Sequence, residues 1–323
     1  MENVMDTIAD KIMAARSVAI LTHVNEDPDT LGSCFAFKKM MVKLGKEAAI
    51  YVSGKIEGRL SFMGDDYIIY DESMKPQHDL CACIDCGDLL RIGARKAIFD
   101  AADTTINIDH HFTNTNFADA NLVNGSASSA AEILTELFKY MNLELDDAIA
   151  TDLFTAICSD TGSFKFASVT PKTMRMAANL LEHNVNHAEI SRRLFDTESL
   201  AAARFKAEIT GNIKSYADGK ITLVTADEKD GEKYGIAPAD IPNLVDIPRG
   251  IEGTEIAVCI KRTSSGYRVN LRSNGDADVA GVAAAIGGGG HRKAAGGTAR
   301  VDSMEEAEKL IVEECIKALE AIK

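Results

Sequence analysis

Short, mostly apolar runs alternate with longer amphipathic stretches through the first half of the chain. The runs are SVAILTH (17–23), EAAIYVS (47–53), DLCACID (79–85), TTINIDHH (104–111) and ANLVN (120–124). Strands apolar on both faces belong to a parallel sheet wrapped by helices, rather than to a sheet with one wet face. Helical spacing follows the first run in CFAFKKMMVKLG. It continues from about Ala127 to Leu194 in SSAAEILTELFKYM, DDAIATDLFTAICSD and TPKTMRMAANLLEHN. The pattern predicts an α/β domain over residues 1–190, with a five-stranded parallel sheet and helices on both faces.

RRLFDTESLAAARFKAEITGNI reads as a helical connector, 191–212. After Gly219 the pattern changes to strands: KITLVTAD (220–227), TEIAVCIKRT (254–263) and GYRVNLRSN (266–274), the last two joined by an SSG turn. A helix (ADVAGVAAAIG), a tight GGGG loop, another strand and a closing helix (SMEEAEKLIVEECIKALEAI) complete a smaller mixed α+β domain over 213–323. Parallel sheets carry their sites at the carboxyl ends of strands. His23, Asp85 and Asp109–His111 fall there.

Composition narrows the function. The chain has 323 residues, with 49 acidic against 35 basic side chains and a net charge of -14, so its surface repels long duplex nucleic acid. A short substrate in a local basic pocket remains compatible. The seven cysteines are odd in number and sit in apolar runs, which fits a reduced compartment. Cys83 and Cys86 form a CxxC beside Cys81, but no second pair stands at zinc spacing, so they read as small apolar residues. The N-terminus is amphipathic and carries acids, unlike a signal peptide. No apolar run approaches the roughly 20 residues of a membrane span. These features predict a cytoplasmic protein without a membrane segment.

Four clusters carry candidate chemistry. His23-x-x-x-Asp27-x-Asp29 leaves the first strand, and Asp29 or Thr30 could instead cap the following helix. Asp85-Cys-Gly-Asp88 ends a buried strand, where a carboxylate is costly unless paired or metal-bound. Asp88 is a candidate helix cap, and Arg91 pairs with an acid or contacts phosphate. Asp109-His110-His111 is the third cluster. Adjacent residues of an extended segment point to opposite sides, so one histidine is expected on metal and the other facing substrate. Asp109 then orients a histidine. Asp160-Thr-Gly-Ser-Phe164 ends an apolar helix, where an acid opposes the helix dipole unless it has a cation partner. His23, Asp27, Asp29, Asp85, His110 and Asp160 together fit a two-metal site with one bridging carboxylate, of the kind that clamps a phosphoryl displacement. Neither GxxxxGK[ST] nor GxGxxG after a strand occurs, so a nucleoside-triphosphate or dinucleotide cofactor is unsupported.

In the second domain, residues 249–300 hold eight Lys/Arg against four Asp/Glu, opposite to the chain as a whole. Arg268, Arg272 and Ser273, with the loop Gly288-Gly289-Gly290-His291, read as a basic pocket whose glycine N–H groups cradle an anion.

In order and spacing these motifs resemble the DHH phosphoesterase family, in particular its nanoRNase and 3′-phosphoadenosine 5′-phosphate phosphatase branch. His23 to Ser33, Asp85 to Arg91, Asp109-His110-His111 and Asp160 to Phe164 are similar to its four motifs. Arg272-Ser273 and GGGGHRKAAGG resemble its associated C-terminal domain. The resemblance implies two Mn²⁺ ions, with Mg²⁺ or another divalent ion as substitutes. One would be held by His23, Asp27 and Asp85, the other by Asp29, Asp85, His110 and Asp160. His111 would face the scissile phosphate, and Arg268, Arg272, Ser273 and His291 would hold the nucleotide in a cleft between the domains. A homodimer formed through the first domain is also implied. Glu26 departs from the pattern, standing where the family usually has proline, and Pro28 stands where glycine is common. The expected substrates are very short oligonucleotides, linear dinucleotides or 3′-phosphoadenosine 5′-phosphate. The competing readings are a cyclic-dinucleotide phosphodiesterase, a RecJ-like single-strand exonuclease and a non-catalytic nucleotide sensor. The exonuclease needs aromatic stacking platforms, and this chain has no tryptophan. The sensor has no need of a complete ligand set.

Overall fold

The computed structural model describes residues 2–56, 58–227, 229–236, 241 and 244–322. The chain divides after Thr197 into two compact units. The first runs α1 (Glu2–Ala14), β1 (Ser17–Leu21), α2 (Pro28–Lys43), β2 (Glu47–Val52), β3 (Ile68–Ile69), β4 (Leu80–Ile84), α3 (Lys96–Ala101), β5 (Thr104–Asp109), β6 (Ala120–Val123), α4 (Ala130–Tyr140), α5 (Asp147–Asp160), α6 (Pro171–Leu181) and α7 (His187–Ser191). Its strands pair in parallel in the order β3-β2-β1-β4-β5-β6. The sheet has six strands where the hydrophobic runs predicted five. The extra strand, β3, is two exposed residues pairing with Tyr51 and Val52 at the sheet edge. A pairing that short leaves no periodic signal.

Alternation along the buried strands sorts side chains onto two faces. Val18, Ile20, Ala82, Ile84, Ile106 and Ile108 join the larger core with residues of α1, α2, α4 and α5. Ala19, Leu21, Cys81 and Cys83 meet a smaller one built with Ile92, Ile98 and Phe99. All seven cysteines are buried and unpaired, as small apolar residues would be. Helices α2 and α5 cross closely at Gly32, where a Cβ would lie 2.6 Å from the Asp152 carbonyl oxygen. That approach holds the N-terminus of α2 beside the C-terminus of α5. The chain leaves β1 toward β2 and β3, then crosses back to β4 on the other side. The sheet therefore reverses between β1 and β4, where open α/β sheets form their ligand crevice.

The second unit runs α8 (Leu200–Gly211), β7 (Lys214–Tyr216), β8 (Ile221–Asp227), α9 (Asp230–Lys233), α10 (Asp246–Arg249), β9 (Ile256–Thr263), β10 (Gly266–Ser273), α11 (Val279–Ala284), β11 (Gly289–His291), β12 (Ala294–Ala299) and α12 (Met304–Glu320). The sheet order is β11-β12-β10-β9-β8-β7, and only β8–β9 is parallel. Val258, Ile260, Val269 and Leu271 pack on Val279, Val282, Ile311 and Cys315. On the opposite face, Val224, Ala226, Ala257 and Cys259 pack on Ala202, Phe205 and Ile209 of α8. Residues 191–212 are thus shared: Leu194 belongs to the core of the first unit, α8 to that of the second. No helix of the described residues is long and apolar enough to cross a membrane.

Candidate metal centre

His23 lies two residues beyond β1 and is 2 % exposed. Its Nδ1 sits 2.8 Å from the Val24 carbonyl, which fixes the proton there and leaves Nε2 as the ligating atom. Nε2 is 3.3 Å from Asp27 Oδ2 and 3.5 Å from Asp85 Oδ2. Asp27 caps α2, its Oδ1 accepting the Thr30 N–H at 3.0 Å. The cap is therefore Asp27, not Asp29 or Thr30. Asp29 is fully buried and reaches across to the start of α4, accepting N–H bonds from Ala130 (2.8 Å) and Ala131 (3.3 Å), and one from the Ser33 hydroxyl (3.1 Å). A carboxylate there complements the positive helix end.

Asp85 follows β4 in the left-handed region, φ 60°, uncommon for a residue with a Cβ. It is 2 % exposed. Its Oδ2 accepts from Thr30 Oγ1 at 2.5 Å, while the buried Oδ1 accepts no hydrogen bond from any described residue. Oδ1 faces His110 Nε2 at 3.4 Å and His111 Nδ1 at 3.6 Å. Strand β5 stops at Asp109 and a turn follows His111, and both imidazoles face Asp85 with ring centroids 4.9 Å apart. That corrects the expectation of two histidines on opposite sides, which assumed that the strand continued. His110 Nε2 also lies 3.4 Å from Asp160 Oδ2 and 3.9 Å from Asp29 Oδ2. Asp160 ends α5, followed by a left-handed turn at Gly162, Ser163 and Phe164.

Behind the cluster, Asp109 Oδ1 lies 2.7 Å from His111 Nδ1 and its Oδ2 accepts from Asn114 Nδ2 at 2.5 Å. Asn114 also donates to Asn107 Oδ1 and the Cys86 carbonyl. Asn107 and Asn114 escaped sequence reasoning, as did the bond from Thr30 to Asp85. Asn107 alone left a trace, as a polar side chain between the isoleucines of a buried strand. Asp88 caps a short 3₁₀ helix through Leu90 N–H and Arg91 N–H. Arg91 is half-buried, and its carbonyl accepts the Val24 N–H at 2.7 Å, which pins the segment after His23.

Three overlapping groups could each hold a metal ion: His23, Asp27 and Asp85; Asp85, His110 and His111; and Asp29, His110 and Asp160. Electrostatics agree. Burial, reinforced by Asp85 and Asp160, pushes Asp29 well above the usual carboxylate range. Burial, with Asp85 and Asp27, raises Asp160 to about 7. Burial opposes a charged imidazole at His23 and His110, yet the facing carboxylates raise both to about 10. Burial also opposes ionisation of Asp85, but His110 and His23 hold it far below its usual value. The cluster carries excess negative charge and draws in positive charge. With an Asp85 oxygen that accepts no hydrogen bond from a described residue, this donor set fits a divalent cation.

In the second unit, Arg268 and Arg272 share a face of β10. Arg272 pairs with Ala294, which pairs with His291, so Arg272 and His291 also share a face. Arg268 and His291 are exposed. Ser273 is buried and donates to the Gly275 carbonyl at 3.0 Å. The four-glycine segment is not the expected loop: Gly289–His291 form edge strand β11. A Cβ on Gly288 or Gly290 would come within 2.6 Å of the Cα of Gly297 or Ala295, so close packing against β12 explains these two glycines. The exposed Gly289 meets no such neighbour.

Residues 17–159 match the DHH family, N-terminal domain, and residues 218–318 match the DHHA1 domain. The chain is 29% identical to the bifunctional oligoribonuclease and PAP phosphatase NrnA of Thermus thermophilus, over 96% of this chain and 92% of that protein. It is 27% identical to the protein of that name in Bacillus subtilis, over 92% of this chain and 93% of that one. Among solved structures, an exopolyphosphatase-related protein from Bacteroides fragilis superposes with a TM-score of 0.91 at 24% identity, over 98% of this chain and 96% of that one. RecJ from Thermus thermophilus in complex with Mn²⁺ superposes at 0.54 and 14% identity, covering 99% of this chain and 55% of that one.

Proposed function

The chain belongs to the DHH family and carries a DHHA1 domain, and from that premise we propose that it is a divalent-metal phosphoesterase acting on very short oligonucleotides, linear dinucleotides and 3′-phosphoadenosine 5′-phosphate. One observation carries the reading: three histidines and three aspartates converge around Asp85, whose buried Oδ1 accepts no hydrogen bond from a described residue. The relatives matched over nine-tenths of the chain, named as oligoribonuclease and PAP phosphatase, support this substrate class.

His23, Asp27 and Asp85 would hold one Mn²⁺, and Asp29, Asp85, His110 and Asp160 a second, with Asp85 shared. When bound, such ions neutralise charge on the phosphoryl group and acidify the attacking water. The protein's own groups then divide the remaining work. Asp109, braced by Asn114, fixes the His111 ring so that it meets the scissile phosphate in one orientation. Asp109 raises the His111 pKa against the effect of burial, favouring a protonated imidazole that donates to a phosphoryl oxygen. Arg91 lends a further positive charge to that phosphate. Arg268, Arg272 and His291 bind the anionic end of the substrate, and the N–H groups along edge strand β11 add donors. Ser273 supports the turn at Gly275.

The test is a Mn²⁺-dependent hydrolysis panel of 3′-phosphoadenosine 5′-phosphate, dinucleotides, RNA oligomers of graded length and cyclic dinucleotides. Turnover should be highest on the shortest linear substrates and should vanish with EDTA. Preference for long single strands, or inertness toward every substrate, would overturn the reading.

A further inference from the structure

Thr22 immediately precedes His23 and Glu26 immediately precedes Asp27, and both are tied to one buried cation. Arg95 is 1 % exposed. Its Nη1 donates to Thr22 Oγ1 at 2.5 Å and to the Tyr51 carbonyl at 2.9 Å, and its Nε donates to the Ile92 carbonyl at 3.1 Å. Nη1 also lies 3.5 Å from Glu26 Oε1. Thr22 passes the connection on, donating to Glu26 Oε1 at 3.1 Å. The same oxygen accepts the Ser53 N–H and hydroxyl, both at 2.9 Å. Arg95 comes from the segment after β4, Thr22 and Glu26 follow β1, and Tyr51 and Ser53 lie at the end of β2. One guanidinium therefore ties the segment after β1 to the end of β2.

A buried arginine is costly, and Nη2 of Arg95 has no hydrogen-bond partner among the described residues. An arginine buried at that cost, tied to the residue before each of two ligands, is expected to act on those ligands. The loop between His23 and Asp27 is held by this ion pair and by the Thr22 and Ser53 hydrogen bonds to Glu26.

We propose that Arg95 and Glu26 are positioning residues that hold His23 and Asp27 in ligating geometry, an inference that rests on the metal reading of the cluster. Removing one should weaken the metal more than the fold, as loss of partners behind a ligand commonly costs about tenfold in affinity. Glu26→Gln keeps an oxygen for Thr22 and Ser53 and removes only the charge; Arg95→Lys is the second variant, keeping charge without the fork. The measurements are Mn²⁺ titration calorimetry and thermal melts in EDTA. Each variant should bind Mn²⁺ about tenfold more weakly, and each should recover kcat at saturating Mn²⁺. The double variant should be no weaker than the worse single one, because both break the same network. Unchanged Mn²⁺ affinity in both variants, or strictly additive losses, overturns the clamp while leaving the metal reading intact. A wild-type protein that takes up no Mn²⁺ overturns both.

Discussion

Thr30 Oγ1 donates to Asp85 Oδ2 at 2.5 Å, which commits one oxygen of this carboxylate and leaves Oδ1 turned toward His110 and His111. Asp85 is thus held by the first turn of α2 while its free oxygen faces the centre of the cluster. Asp85→Asn should abolish Mn²⁺-dependent hydrolysis and strongly weaken Mn²⁺ binding, with the circular dichroism spectrum unchanged. Asparagine is the right replacement, because it tolerates φ 60° at this position, whereas alanine adds about 1 kcal/mol of backbone strain. Residual turnover within tenfold of wild type would remove Asp85 from its bridging role.

Metal uptake should release protons. At pH 7, His23 and His110, both raised to about 10, carry protons that a bound cation displaces, and Asp160, at about 7, carries part of one. These groups hold protons below their raised pKa values, so competition weakens as pH rises. Mn²⁺ affinity should climb from pH 6 to pH 8. Calorimetry in buffers of different ionisation enthalpy measures the release; affinity independent of pH would contradict it.

Asp109 and Asn114 form a brace behind His111. Asp109→Asn or Asn114→Ala should lower kcat by about ten- to a hundredfold with a smaller change in KM. Equal losses in Mn²⁺ affinity would move the brace from His111 to the metal ligands.

The glycines of β11 make a structural prediction confined to the second unit. Gly290→Ala places a Cβ 2.6 Å from Ala295 Cα, in a backbone conformation (φ 140°) that L side chains rarely adopt. It should destabilise that unit by about 1–3 kcal/mol, read by chemical denaturation, with Mn²⁺ affinity unchanged.

Arg272→Ala should raise KM for 3′-phosphoadenosine 5′-phosphate with little change in kcat, the signature of binding lost equally from substrate and transition state. A fall in kcat at constant KM would assign Arg272 to the transition state.

All strands of the first sheet but the exposed β3 were legible, because burial writes an apolar run. Its six candidate ligands were legible because each lies at the end of such a run or of an apolar helix. The end of β5 at Asp109 was not, since strand periodicity says nothing about where pairing stops. The strand at Gly289–His291 was hidden for a related reason: a gap left for a neighbouring backbone and a gap left for a ligand look identical in sequence. Arg95 was hidden altogether. A buried guanidinium reads as one more surface charge until Thr22, Tyr51 and Glu26 are seen around it.

The reversal of strand order between β1 and β4 also sets when the metal site can come into being. His23 and Asp85 meet only once two strands far apart in sequence have paired, and Asp160 is supplied still later, from the end of α5. A chain emerging from the ribosome carries His23 and Asp27 early, but no cage until about half of it has been made. A cation held by all six candidate ligands would therefore require that about half of the chain has been made, whatever the cation supply.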